Sequence, residues 1–71
     1  MMEVIFQPML RDNKGGVYQI GDMVAIWKLV NGKSERCDGV FLISGIDKDR
    51  VYFDGRDNLL LSELDHMHRV I

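Results

Sequence analysis

The sequence holds one cysteine and one proline among 71 residues. A single thiol, Cys37, excludes an internal disulfide, which agrees with a reducing, cytoplasmic setting. The opening MMEVIFQPML has no basic start and reaches Pro8 and Arg11 before a signal-type apolar core can form, so no secretory leader is expected. No apolar run approaches the ~20 residues that cross a bilayer as a helix, and no membrane contact is expected. Runs of Lys or Arg are missing too. Nine basic residues stand against eleven acidic ones, for a net charge of -2. A nonspecific DNA binder needs a sustained positive field to displace counterions from phosphate, and a DNA mimic needs a larger acidic excess than this. The length leaves out TIM barrels, kinases and two-part dinucleotide enzymes, so one domain over residues 1–71 is expected.

What is present is a folding composition: 46% hydrophobic and 28% charged, too apolar for a disordered segment. The pattern is that of short strands. Val4-Ile5-Phe6 is an apolar run closed by Gln7-Pro8, and Pro8 suits an edge or first strand. Arg11 to Gly16 is a loop. Val17, Tyr18 and Ile20 lead to the turn signal Gly21-Asp22. Met23 to Val30 is rich in β-branched and aromatic residues and ends in Asn31-Gly32, the strongest short hairpin signal. After the polar stretch Lys33 to Arg36, Cys37 to Ile46 reads as a long strand with Gly39 and Gly45 as candidate bulges. Asp47 to Arg50 is a turn, Val51-Tyr52-Phe53 a strand and Asp54-Gly55 another hairpin signal. Leu59-Leu60-Leu61 follows. Ser62 to Asp65 has the form of one helical turn, with Ser62 as N-cap and Asp65 in a weak capping-box position. Met67 to Ile71 closes the chain as a short strand.

Strands are thus expected near 3–7, 17–30, 37–46, 50–54 and 58–61, with a helical turn near 62–65. An open sheet of this size exposes edges and apolar surface, which closure removes. The expected fold is mostly β: a small closed five-stranded SH3-like barrel with one short helical turn before the last strand. Met23, Ala25, Trp27 and Leu29 share one face of their strand, Val24, Ile26 and Lys28 the other. The first face is uniformly apolar and is expected to point inward. The expected core is Val24, Leu29, Val40, Leu42, Val51, Phe53, Leu59, Leu61, Leu64 and Val70, joined by Trp27.

From Ile20 onward this order of elements resembles the SH3-like barrel. Val24-Ala25-Ile26-Trp27-Lys28-Leu29-Val30-Asn31-Gly32 more narrowly resembles the strand-then-Asn-Gly segment of the Sm-like and Hfq family. Gly39, Asp47 and Val51-Tyr52-Phe53 fall near that family's strand glycine, strand-end Asp and short strand. Asp65 to Ile71 resembles its last segment. The resemblance implies a barrel that binds RNA. Two features depart from it: a strand-like start where the family has a capping helix, and a longer 32–39 loop whose basic residues are interrupted by Glu35 and Asp38.

The chemical motifs are thin. Lys14-Gly15-Gly16-Val17 echoes the start of a phosphate-binding loop, but Tyr18-Gln19-Ile20 supplies neither the second Lys nor the Ser or Thr that Mg²⁺ requires, and a plain surface loop is expected. Asp47-Lys48-Asp49 and Asp54 to Asp57 fail the calcium-loop spacing at Val51, Tyr52 and Arg56, and hairpin turns explain them. Cys37, His66 and His68 are the soft ligands. Their spacing does not define a zinc site, so no metal, no other cofactor and no catalytic residue is assigned.

Two function classes remain, neither enzymatic. The first is a non-catalytic protein-interaction module, of the kind found among bacterial and phage accessory proteins, binding a protein partner or a second copy of itself. The alternative is an Sm-like barrel binding RNA or single-stranded nucleic acid, which the net charge disfavours. The candidate partner-binding residues for either are Tyr18, Lys28, Lys33, Arg36, Arg50, Tyr52 and Arg56. The two tyrosines are expected at the surface, where aromatics stack on bases or grip peptides.

Overall fold

Two dipeptides set the hairpins. Asn31 and Gly32 both take positive φ, 52° and 78°, the type I′ turn whose twist matches the flanking strands. It joins β4 (Met23–Val30) to β5 (Lys33–Arg36), with Val30 opposite Lys33. Asp54-Gly55 likewise joins β7 (Arg50–Phe53) to β8 (Arg56–Leu60), with Phe53 opposite Arg56. A computed structural model describes residues 3–6 and 9–70, the first range as backbone. The remaining strands are β1 (Glu3–Phe6), β2 (Met9–Arg11), β3 (Val17–Gln19), β6 (Phe41–Ile46) and β9 (Leu64–Arg69).

These strands form two sheets. β1, β2 and β3 make a three-stranded antiparallel unit. The other six form the main sheet, in the order β5-β4-β6-β7-β8 with β9 also on β4. Trp27 is paired with both Arg36 of β5 and His66 of β9, so those strands lie on opposite edges of β4. β6 meets β4 at its other end, at Met23 and Val24.

The main sheet corrects the expected closed five-stranded SH3-like barrel. It is an open, curled half-barrel of six strands that runs 230° round and leaves its edges 13 Å apart. Strands pair about 4.8 Å apart, so that gap is too wide for a ladder. The expected helical turn over 62–65 is also corrected. The chain makes only a three-residue 3₁₀ turn, Leu61–Glu63. Ser62 does not cap it; instead Glu63 Oε1 accepts the Leu60 N–H at 3.0 Å.

Other boundaries shift for identifiable reasons. The expected 17–30 strand is two strands, broken at Gly21, whose φ is 99°. β2 and β5 arise where loop or polar chain was expected. The last strand starts at Leu64 rather than Met67, and its expected end, Ile71, lies outside the described residues, as do Gln7 and Pro8. Gly45 does sit at a register shift between β6 and β7.

The core gathers Leu10, Tyr18, Val24, Ile26, Ile43, Val51, Phe53, Leu59, Leu61, Leu64 and Met67. Val24, Val51, Phe53, Leu59, Leu61 and Leu64 were expected there. Three others were not correctly placed: Leu29, Val40 and Val70 are 37%, 44% and 42% exposed. Leu42 and Trp27 are half-buried. The expected orientation of β4 is therefore reversed. Val24 and Ile26 point into the core, so Met23, Ala25, Trp27 and Leu29 stand on the other, outer face, where Ala25 is buried, Trp27 is half-buried and Met23 and Leu29 are exposed.

Candidate functional site

The N-terminal unit is fastened to β9 through Asp12, Asn13 and Tyr18. Asp12 is buried and its carboxylate accepts three backbone N–H groups. Oδ1 takes those of Lys14 and Gly16, both at 2.9 Å, and Oδ2 takes that of Met67 at 3.0 Å. The Tyr18 hydroxyl donates to the Met67 carbonyl. The N–H of Asn13 bonds the Asp65 carbonyl at 3.2 Å. Asp12, Tyr18 and Asn13 thus cap the edge of β9 that faces away from β4, with side chains and a turn in place of a further strand. That is one of the ways natural sheets blunt an edge. The Lys14-Gly15-Gly16 loop is thereby accounted for, since two of its amides hold Asp12 rather than an external anion.

Tyr18 is the first correction among the candidate site residues. It is 6% exposed and belongs to the core, so it cannot stack on a base. Burial, and next the carboxylate of Asp12, push its hydroxyl up to about 12 from 10. A raised pKa favours the protonated form in the fold, so this contribution is complete below pH 10 and is lost as pH rises toward 12. Tyr18→Phe is expected to lower stability by about 1 kcal/mol at neutral pH, the worth of one hydrogen bond. It should also flatten the alkaline loss between pH 10 and 12. Urea unfolding at pH 7 and across that alkaline range checks both.

Arg69 completes this latch. Its Nη2 donates to the Val17 carbonyl at 2.6 Å and to Asp22 Oδ2 at 3.1 Å, and the guanidinium lies 5.3 Å from the Tyr18 ring centre. A shallow hollow of about 390 Å³ is lined by Val17, Tyr18, His68 and Arg69. Its basic group is engaged by these internal acceptors.

The outer face of β4 carries the other cluster. The Trp27 indole stacks on the His66 ring at 4.6 Å between centroids, with 14° between planes. The Arg36 guanidinium lies 5.4 Å from the centre of the indole. Those two residues are its cross-strand neighbours on opposite sides, so the indole is flanked by protein groups on both sides. His66 Nδ1 lies 2.8 Å from Asp65 Oδ2, and Asn13 Nδ2 donates to Asp65 Oδ1 at 2.7 Å. The bond to His66, then that to Asn13, hold the Asp65 carboxyl down at about 2.

Along the same face Met23 is 38% exposed and Leu29 37% exposed. Met23 is opposite Leu42 in β6, and its carbonyl accepts the Val70 N–H. Directly opposed residues share a face. Val70, just past the end of β9, therefore forms an apolar row with Met23 and Leu42, and Trp27 and Leu29 carry it along β4. The signal for this surface was the strand Met23–Val30, apolar but for Lys28; what hid it was that apolar residues lie on both of its faces.

The remaining candidates fall into two groups. Lys28, Lys33 and Arg36 lie on the β4–β5 hairpin. Arg50, Tyr52 and Arg56 lie on β7 and β8, beyond β6. Tyr52 is exposed as expected, against Gly45. Arg50 donates to Asn58 Oδ1 at 2.6 Å, and Arg56 lies over the Phe41 ring at 5.6 Å and donates to the Asp57 carbonyl. Both guanidinium groups thus have internal partners. Among the described residues no three of His, Cys, Asp and Glu come together to hold a metal, and no helix is long and apolar enough to cross a membrane.

No family model matches the chain, and neither a curated protein nor a solved structure matches it.

Proposed function

We propose that this chain is a non-catalytic protein-interaction module that receives a protein partner on the outer face of β4. The observation that carries the reading is the outward turn of a strand face made of Met23, Trp27 and Leu29, extended by Val70 and Leu42. Large apolar side chains gathered on one side of a small domain mark a contact surface. A half-buried Trp flanked by Arg and His is the kind of anchor that dominates interfaces. The alternative surface for RNA is Tyr52 with Arg50 and Arg56. It is the weaker candidate because Tyr18 is core and both arginines are engaged within the chain.

The test compares wild type with Met23→Lys/Leu29→Lys, immobilised at equal density and exposed to cell extract, beside a titration with single-stranded RNA. The expected result is a protein retained by wild type and lost by the variant, with RNA binding too weak to measure at about 150 mM salt. Identical retention by both proteins contradicts the reading. So does roughly micromolar RNA binding at that salt that Tyr52→Ala weakens by about 1 to 3 kcal/mol.

A further inference from the structure

β5 is an end strand of the main sheet, and all four of its residues, Lys33-Ser34-Glu35-Arg36, are exposed. Among the described residues no strand pairs its far edge. Which backbone groups that edge offers follows from the turn. A two-residue type I′ hairpin is closed by a hydrogen-bonded pair, here Val30 and Lys33. Bonded and non-bonded pairs then alternate, so Lys28 and Glu35 are bonded. The Cys37 N–H donating to the Ile26 carbonyl at 2.9 Å continues the series. Ser34 and Arg36 sit in the intervening pairs, and their N–H and C=O groups point away from β4.

We propose that this edge pairs with the same edge of a second copy, antiparallel about a two-fold axis at Ser34. A ladder between identical edges must place outward-pointing residues opposite one another, which leaves few registers. With Glu35 on the axis, Glu35 meets its own copy. With Arg36 or Lys33 on the axis, Arg36 or Lys33 does so. Only the Ser34 register puts a neutral residue on the axis. It sets Lys33 opposite Glu35 of the second copy, and Glu35 opposite its Lys33. These flanking positions form the non-bonded pairs, where side chains approach closest. Charges on an edge strand ordinarily prevent pairing. Here the same four residues repel every neighbouring register and favour one. The inference is independent of the outer-face reading, because it uses backbone groups and the charges of β5.

A ladder this short covers far less than a standard interface, so the dimer is expected to be weak, with Kd on the order of 0.1 mM. Sedimentation equilibrium of the full chain from about 10 μM to 1 mM should show the mass rising toward twice 8.2 kDa. Lys33→Glu or Glu35→Lys alone should weaken association at least about tenfold, since each sets like charges opposite one another. Lys33→Glu combined with Glu35→Lys should restore it. Ser34→Pro, which removes an N–H that the hairpin does not use, should abolish it. If Ser34→Pro does not fold, the charge variants decide. A wild-type monomer at about 1 mM overturns the proposal. So does a dimer that survives both single charge changes, or a double variant that does not regain it.

Discussion

Asp12→Ala is expected to cost about 3 to 5 kcal/mol, because it leaves three amides without their acceptor. One of them, the Met67 N–H, lies on the buried edge of β9. A chain of 71 residues has roughly 4 to 10 kcal/mol of stability in all. The variant should therefore release the β1–β3 unit or unfold outright. Asp12→Asn should retain part of the loss, since its amide oxygen still accepts while its amide nitrogen faces an N–H. Urea unfolding followed by near-ultraviolet circular dichroism, which senses the packing of Tyr18, checks this. A midpoint within experimental error of wild type would mean that Asp12 is not the latch described above.

Phe53→Ala should be nearly as damaging. Phe53 is buried in β7 between the core residues Val51 and Ile43, the latter its partner in β6. Truncating a buried Phe typically costs about 3 to 5 kcal/mol. The variant is expected to be unfolded or nearly so at 25 °C. A cooperative melt close to wild type would place Phe53 at the surface and Tyr52 inside.

That pair shows what made part of the fold readable. In Val51-Tyr52-Phe53 burial alternates along β7: Val51 and Phe53 are buried and Tyr52 is exposed. Asn31-Gly32 and Asp54-Gly55 were legible because their turns need positive φ at glycine, a local requirement. Gly45 sits at the β6–β7 register shift for a different reason: its φ is not positive, and the Tyr52 side chain packs where a Cβ would stand, 3.4 Å away. β5 was not legible: a strand exposed along its whole length has no hydrophobic period to detect. Barrel closure was expected from the cost of open edges, but the chain covers the β9 edge with Asp12, Asn13 and Tyr18 instead. The bond from Met67 to Asp12 joins residues 55 apart, and no local pattern announces it. It places Tyr18 in the core and so removes half of the aromatic surface expected for nucleic acid. For β4, with apolar residues on both faces, alternation could not decide the inward side. The decision comes from β9 and the N-terminal unit, which pack Leu10, Tyr18 and Met67 around Val24 and Ile26.

The orientation of β4 carries the functional reading, and equilibrium unfolding of Met23→Lys/Leu29→Lys tests it most directly. With both side chains on the outer face, the double variant should unfold cooperatively within about 1 kcal/mol of wild type, as surface substitutions do. A loss of several kcal/mol would mean that lysines had been forced into the core. That result would put Met23 and Leu29 inside and remove the surface on which the proposed partner docks.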